Sequence, residues 1–366
     1  FSAYVQDKME FTSMIINAGI RYDYFNSRSE YLPNTYAPLS DTAMAEPKNT
    51  FSPRLGISFP ITDEGILHFS YGHFYQLPPY NFLYTNPTFE DNVAVPTFGN
   101  ANLKPEKTVT YEIGLQQQLT EDLAFNVTGF YKDVRDLLAL QQIRVSSSFS
   151  YYTYVNQDYG NIQGITFSLT KRKMPGTLFG LSLDYTFQVA EGNEVNATAF
   201  FLDAASGRQS EKIPVPLAWD QQHTLNGVIS FGEDRNWLLT LVGNISTGLP
   251  YTPLIYDKQI YLESNSERKP LQTNVDLLIE KSFDLSDIVL TAFIKVYNLF
   301  DTRNENFVYD DTGRATYTLQ SGRSGPEATN ALAAVNPGIK SADEYFVRPQ
   351  YYSSPREVRL GFMMEF

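Results

Sequence analysis

Apolar and polar residues alternate with a period of two along this chain, and no other feature restricts its fold so strongly. From residue 179 to 189 the odd positions are large and apolar, whereas the even positions are Gly, Ser, Asp, Thr and Gln. A period of two puts the two sets on opposite faces of a β-strand. Such a segment of about eleven residues is close to the length with which a tilted strand crosses a bilayer. The pattern therefore predicts two-faced strands that are long enough to span a membrane.

The alternation recurs to the last residue and divides into about thirteen segments. The predicted strands are 1–11, 13–25, 51–59, 65–75, 107–118, 121–133, 159–171, 177–190, 220–231, 235–246, 271–283, 287–299 and 356–366. Between them, short turns alternate with long polar connections at about 26–50, 76–106, 134–158, 191–219, 247–269 and 300–354. Short turns on one rim and long loops on the other are typical of bacterial outer-membrane barrels. The sequence thus predicts an all-β fold, a transmembrane antiparallel up-and-down β-barrel.

Composition excludes several other classes of protein. The chain has 42% apolar residues, yet no run approaches the roughly 18–20 apolar residues of a spanning helix. Its net charge is -13 with scattered basic residues, so a nucleic-acid partner is not expected. The absence of cysteine excludes disulfides and thiolate metal sites. The first residues lack the basic and apolar regions of a signal peptide.

The predicted strand number is odd, whereas single-chain bacterial barrels have an even number, with both termini on the periplasmic side. We therefore expect the chain to begin partway round a barrel, with further strands outside it. The alternative is that one strand is missed within 134–158, where residues 137–140 are apolar.

Several stretches resemble the barrel of TonB-dependent outer-membrane receptors, and their order along the chain strengthens the resemblance. The most specific is ANLKPEKTVTYEIGL at 101–115, which resembles a stretch where an outer loop enters a descending strand. The others are YVQDK at 4–8, NAGIRYD at 17–23, FSPRLGI at 51–57 and VYNLFD at 296–301. The resemblance covers essentially the whole chain.

The resemblance implies a 22-stranded plugged barrel, of which residues 1–366 are the C-terminal portion of one domain, with the plug domain and the N-terminal strands outside the chain. It implies import of a scarce nutrient across the bacterial outer membrane, namely a siderophore, cobalamin, an oligosaccharide or a peptide. The implied partners are outer-membrane lipid, the plug and missing strands, the inner-membrane TonB complex and a surface lipoprotein. The C-terminus is expected to be periplasmic.

The last strand resembles an outer-membrane insertion signal. Its alternating apolar residues are Val358, Leu360, Phe362, Met364 and the terminal Phe366. The resemblance implies that the barrel assembly machinery recognises this strand. A final strand that merely packs a soluble sandwich is the alternative.

The sequence offers little support for enzymatic chemistry. Its histidines are His68, His73 and His223; the first two are five residues apart and so point to opposite faces of one strand. For His223 we expect a structural polar contact. Asp310 and Asp311 could supply calcium ligands, but they lack a regular ligand spacing and we expect a solvated turn. We predict no enzyme, no catalytic residue, no cofactor and no metal site.

Aromatic residues in two long connections are the candidate ligand contacts. They are Tyr75, Tyr80, Phe82, Tyr84, Phe89, Tyr151, Tyr152 and Tyr154. Amphipathic rings at such positions can bind a ligand, and they can equally hold loops together or contact the plug. Both alternatives stay open here.

Two other functional classes fit the same strand pattern. A passive porin or an outer-membrane scaffold subunit would have an open lumen or one filled by a partner. A soluble secreted all-β binding protein would be released without detergent. The resemblance favours the importer.

Overall fold

The structure is a computed structural model that describes residues 1–36, 42–86, 96–146, 149–193, 214–233, 236–255, 260–285, 288–320, 338 and 342–365. Within these ranges β-strands predominate. Short helical segments occur at Tyr80–Tyr84 (α1) and Ala342–Tyr345 (α2), and a 3-10 turn at Pro349–Tyr351. No helix in the described ranges has the length and apolar character needed to cross a membrane.

The described part of the chain contains thirteen strands of nine or more residues. They are β1 (Ser2–Glu10), β2 (Ile15–Phe25), β3 (Lys48–Pro60), β4 (Gly65–Gln76), β5 (Glu106–Gln118), β6 (Leu123–Arg144), β7 (Ser150–Lys171), β8 (Phe179–Gly192), β9 (His223–Glu233), β10 (Trp237–Ser246), β11 (Gln272–Leu285), β12 (Ile288–Tyr297) and β13 (Glu357–Glu365). Two-residue strands occur in the connections at Glu30–Tyr31, Ala43–Met44, Thr97–Phe98, Val215–Pro216, Pro250–Tyr251, Leu254–Ile255, Ile260–Tyr261 and Glu267–Arg268.

Strand order follows chain order from β1 to β13, each long strand being hydrogen-bonded to the next. Neighbouring strands pair antiparallel, and their registers place residues of the apolar face opposite one another. Leu55 lies opposite Tyr71, Leu183 opposite Gly227, and Ile294 opposite Leu360. The predicted all-β, up-and-down antiparallel fold is therefore confirmed.

Two compact units divide the chain. Unit 1 contains residues 1–115, 129–163 and 191–215, and unit 2 contains residues 116–128, 164–190 and 216–366. The division runs across the long strands β5, β6 and β7 and the last residues of β8, so each unit holds part of these strands.

In unit 2 the strands carry an apolar face and a polar face, which β8 defines. Its apolar face bears Phe179 and Phe187 near its two ends, which at ~3.3 Å per residue are about 26 Å apart. Phe231 meets Trp237 in the strand turn beside Phe179, with ring centroids 5.4 Å apart. At the other end Phe187 lies 5.1 Å from His223. At the strand tilt of about 35–45° that is typical of outer-membrane barrels, this distance corresponds to a height of about 20 Å, comparable to the apolar band of about 25 Å between aromatic girdles.

The polar face of unit 2 is a row of short polar side chains at one level. Asp184 lies opposite Asn226, Asn226 opposite Asn244, and Asn244 opposite Asn274. The Asn244 Nδ2 donates to Asn226 Oδ1 at 2.7 Å, and Ser168 Oγ donates to Asp184 Oδ1 at 2.7 Å. These side chains thus satisfy one another across neighbouring strands.

Unit 1 repeats the two-faced pattern with tyrosines. On the apolar face the ring centroids of Tyr71 and Tyr111 are 5.2 Å apart, and those of Tyr111 and Tyr131 are 6.4 Å apart. On the polar face Ser70 Oγ donates to Glu112 Oε2 at 3.1 Å. Alternation along each strand therefore separates aromatic from polar side chains here as well.

One predicted connection is wrong. Residues 134–158 do not form a long loop, because β6 continues to Arg144 and β7 begins at Ser150. Asp136 has a φ of 60°, a left-handed conformation that interrupts regular alternation within β6. Residues 137–140 lengthen this strand and form no further strand. The extended hairpin is covered by Thr97–Phe98, which pairs in parallel with Tyr152 and Thr153.

Candidate functional site

A buried aromatic cluster holds together the connections at the loop side of the strands in unit 1. Phe98 and Tyr151 are fully buried, their ring centroids are 5.0 Å apart, and Ile143 completes the cluster. The Tyr151 hydroxyl donates to the carbonyl oxygen of Thr35 at 2.5 Å. A side chain of β7 therefore ties the extended hairpin to the connection after β2.

Helix α1 packs onto the same hairpin through a stacked ring pair. The rings of Phe82 and Tyr154 are 4.1 Å apart between centroids and inclined by 10°. Tyr84 donates its hydroxyl to the carbonyl oxygen of Ser27 at 2.9 Å, and Leu83 is buried. Apolar contact and hydrogen bonding together hold α1 against two other segments.

Gly99 permits the close approach of two loop segments. A Cβ at this position would lie 2.7 Å from the Thr85 nitrogen and 2.8 Å from the Leu83 oxygen. The Gly99 amide donates to the Thr85 carbonyl oxygen at 2.7 Å. Any larger residue would push the end of α1 away from residues 97–100.

The predicted ligand-contact residues have different surroundings. Tyr151 is fully buried, and Phe82, Tyr84 and Tyr154 are partly buried in the contacts between loops. Tyr80 stacks at 6.4 Å on Phe25 and keeps 64% of its surface exposed.

The remaining candidates are Tyr75, Tyr152 and Phe89. Tyr75 and Tyr152 are partly buried at the ends of β4 and β7, and Phe89 lies outside the described residues. Most of these aromatic residues therefore hold loop segments together. Among the candidates whose side chains the structure describes, Tyr80 has the most exposed ring. Ligand contact by any of them stays a prediction.

In unit 2 a buried ion pair fastens two long connections. Asp220 is fully buried, and its Oδ2 accepts a hydrogen bond from Arg268 Nη2 at 2.5 Å. Its Oδ1 accepts from the Ala190 amide at 2.9 Å, and Arg268 Nη1 donates to the Asp220 carbonyl oxygen at 2.8 Å. The carboxylate therefore joins the end of β8 to the connection between β10 and β11.

A second ion pair organises the connection between β12 and β13. Glu305 is buried and accepts two hydrogen bonds from Arg314, from Nε at 3.0 Å and from Nη2 at 2.6 Å. The Ala315 amide donates to the other carboxylate oxygen. Burial raises the pKa of Glu305, but the hydrogen bonds from Arg314 and Ala315 outweigh it and hold the pKa below its usual range. The carboxylate is thus charged in the folded loop at neutral pH.

The neighbouring acidic pair is more ordered than expected. Asp311 Oδ2 accepts hydrogen bonds from the Thr318 hydroxyl at 2.7 Å and from the Leu319 amide at 2.9 Å. The expected turn is present and Asp310 is exposed, but the Asp311 carboxylate is partly buried and hydrogen-bonded within the loop. Within the described ranges, no three histidine, aspartate or glutamate residues form a group that could hold a metal ion.

The histidines occupy the faces that alternation predicts. His68 lies opposite Ser58 on the polar face, whereas His73 lies on the apolar face, where Tyr71 Oη and His73 Nε2 are 2.6 Å apart. His223 Nδ1 is 2.8 Å from the Tyr185 hydroxyl oxygen. The structural polar contact expected for His223 is therefore confirmed.

The candidate insertion signal is a regular two-faced strand. Val358, Leu360, Phe362 and Met364 lie on one face of β13 and expose half or more of their surface. Phe366 lies outside the described residues. The alternation is as predicted, and recognition of this strand by an assembly machinery stays a prediction.

Sequence reasoning missed the charged residues that organise the loops of unit 2. These are Asp220, Arg268, Glu305 and Arg314. The partners are separated in sequence, Asp220 and Arg268 by 48 positions and Glu305 and Arg314 by nine.

Comparison with known proteins identifies one family. Its sequence model, described as TonB dependent receptor-like, beta-barrel, matches residues 1–339. A curated relative, the vitamin B12 transporter BtuB of Photobacterium profundum, is 31% identical over 135 residues, which is 36% of this chain and 20% of that protein.

Solved structures agree on the fold. The outer membrane transporter YddB from Escherichia coli superposes with a TM-score of 0.62 at 13% identity, over 83% of this chain and 41% of that one. The FrpB iron transporter from Neisseria meningitidis gives a TM-score of 0.57 at 14% identity, over 83% of this chain and 41% of that one. The chain thus spans less than half the length of the solved structures that it matches.

Proposed function

Because this chain belongs to the TonB dependent receptor-like β-barrel family, we propose that it supplies part of the outer-membrane barrel of an active nutrient importer. The family consists of outer-membrane receptors and transporters. The match over residues 1–339 is the observation that carries the proposal. The relatives include a vitamin B12 transporter and an iron transporter, so cobalamin and ferric chelates are the first substrate classes to test, before oligosaccharides and peptides.

In this proposal the residues of the chain bind and admit a ligand and catalyse no reaction. The apolar face lies against lipid, and the polar face looks toward a plug domain supplied from outside residues 1–366. The long connections between strands lie outside the cell, so the C-terminus is periplasmic. The exposed ring of Tyr80 offers a flat apolar surface with a hydroxyl group to a ligand that approaches the loops of unit 1.

Energy for uptake would come from the TonB complex of the inner membrane, which acts on segments outside this chain. The barrel assembly machinery would insert the barrel through β13, and a surface lipoprotein is a further proposed partner. The fixed loop contacts around Phe82 and Asp220 support a role in ligand capture, since they give the connections defined surfaces.

Uptake by cells that express the native protein tests this function. A strain in which the gene is deleted should lose uptake of one labelled nutrient at nanomolar concentration, and expression of the gene should restore it. Disruption of TonB should abolish the same uptake while the protein stays in the outer membrane. Uptake that persists without TonB and rises in proportion to nutrient concentration would instead identify a passive porin.

A further inference from the structure

The apolar face of unit 1 contains a groove in addition to its rows of side chains. It has a volume of about 500 Å³ and lies across strands β3 to β6. Leu55 and Ile113 line its sides, and Gly129 lies at its base. The groove belongs to the face that the proposed function puts against membrane lipid, and the inference below rests on that placement.

Gly129 creates the groove by lacking a side chain. The alternation in β6 has Val127 and Tyr131 on either side of it on the same face. A Cβ at position 129 would find its nearest atoms, both of Ile113, only at 3.9 Å and 4.0 Å. The space above the glycine is therefore open, and a larger side chain would fill it without a steric clash.

Tyrosines mark one end of the groove. Tyr71, Tyr111 and Tyr131 stand side by side on consecutive strands and line it. The Tyr131 hydroxyl donates to Asn161 Oδ1 at 3.1 Å. Such amphipathic rings sit at the head-group level of a bilayer. The groove thus runs from that level into the hydrocarbon.

Basic residues lie beyond the tyrosines on the same face. The contacts of Tyr111 with Tyr131 and of Ile113 with Gly129 set the strand register. This register brings Lys107 opposite Arg135, four residues or about 13 Å further toward the loops.

Asp133, which lies on the same face of β6, offsets part of this charge. Arg135 forms an ion pair with Asp133, with Nε 2.8 Å from Oδ1, and its guanidinium lies 5.3 Å from the centroid of the Tyr159 ring. Lys107 and Arg135 against Asp133 leave one net positive charge, and both long side chains can reach along the surface.

We propose that this groove binds one membrane lipid with a phosphate-bearing head group. Its acyl chain lies over Gly129 between Leu55 and Ile113, and its phosphate contacts Lys107 and Arg135. Gly129 lies two residues, about 7 Å, on the hydrocarbon side of Tyr131, and Lys107 and Arg135 lie about 13 Å beyond the tyrosines, from where their long side chains reach back toward the head group. An apolar groove below a positively charged rim complements an acyl chain that carries a phosphate. An uncharged detergent would fill the groove but would have no charged group for the basic residues to contact.

Native mass spectrometry tests the site on the protein recovered from membranes in detergent. The wild type should retain one phosphate-bearing lipid, and delipidated protein should rebind phosphatidylglycerol added in micelles. Gly129→Leu fills the groove and should weaken this binding at least tenfold. Gly243→Leu is the matched control, because Gly243 lies on the apolar face of β10 with its nearest neighbour at 3.9 Å; it should bind as the wild type does.

Replacement of the two basic residues tests the head-group contacts separately, so the lipid site can be refuted even if Gly129→Leu fails to fold. Lys107→Gln combined with Arg135→Gln should weaken phosphatidylglycerol binding severalfold and leave binding of a diacylglycerol, which has no phosphate, unchanged. Equal lipid retention by the wild type, Gly129→Leu and the double variant would overturn the site. If the wild-type protein retains the bound lipid but supports no TonB-dependent uptake, the proposed function is refuted and the groove is still supported as a lipid site.

Discussion

Replacement of Arg268 by methionine tests the buried ion pair that fastens the loops of unit 2. Arg268 reaches Asp220 with two hydrogen bonds, while Asp220 is fully buried and also accepts from the Ala190 amide. Methionine keeps much of the side-chain volume but removes the positive charge. A buried carboxylate is then left without a cation.

The structure sets the expected size of this effect. Breaking a buried pair by removing one partner costs about 3–5 kcal/mol, and because 26% of the Arg268 side chain is exposed we expect the lower end, about 3 kcal/mol. Asp220→Asn retains an acceptor for the Ala190 amide and should cost about 1.5–3 kcal/mol. The double variant removes both charges, so its cost should be about 2 kcal/mol less than the sum of the single costs.

Hydrogen exchange at the Ala190 amide measures the opening of this contact. Since each 1.4 kcal/mol is tenfold in an equilibrium, Arg268→Met should speed exchange about a hundredfold where exchange follows local opening. Arg359→Met is the control, because its pair with Glu357 is exposed to solvent and should contribute little to stability. Unchanged exchange in Arg268→Met, or additive effects in the double variant, would refute this account.

Three further outcomes follow from the loop contacts. Gly99→Ala should loosen the loops of unit 1 and increase proteolysis within residues 77–105, whereas Gly56→Ala, with its nearest neighbour at 3.9 Å, should not; equal protease resistance of both variants would contradict the packing. The hydrogen bonds that lower the pKa of Glu305 stabilise the loop fully when the pH is above 4.5, the ordinary pKa of a glutamate. This stabilisation should be lost as the pH falls below 4.5 and through the depressed pKa of Glu305. Glu305→Gln should make hydrogen exchange in the loop independent of pH in this range, once the intrinsic pH dependence of exchange is subtracted. Tyr80→Ala should weaken binding of the imported nutrient about tenfold, measured by titration of purified protein, while Tyr185→Ala in the aromatic girdle should bind normally; equal affinities would exclude Tyr80 from the ligand surface.

The strands could be predicted because the information for them is local. In β8 each residue from Phe179 to Val189 reveals its face by its own polarity, and the registers with β9 and β10 follow once those faces must match. The same reasoning predicted that His68 and His73 would point to opposite faces.

The loops could be predicted only in part, because their contacts join residues far apart in sequence. Nothing near Tyr151 indicates that its hydroxyl meets Thr35, 116 positions away. The extended hairpin was missed for a local reason as well, since the left-handed Asp136 shifts the alternation within β6. Polarity could not tell a strand covered by Thr97–Phe98 from a loop.

Cysteine scanning along β8 tests most directly that these strands span a membrane with two distinct faces. The chain has no cysteine, so single replacements of Leu181, Ser182, Leu183 and Asp184 can be labelled without background from these residues. In native outer membranes, probes at 181 and 183 should be quenched by a lipid-phase quencher, whereas probes at 182 and 184 should not. Equal quenching at all four positions, or none at any, would contradict the account.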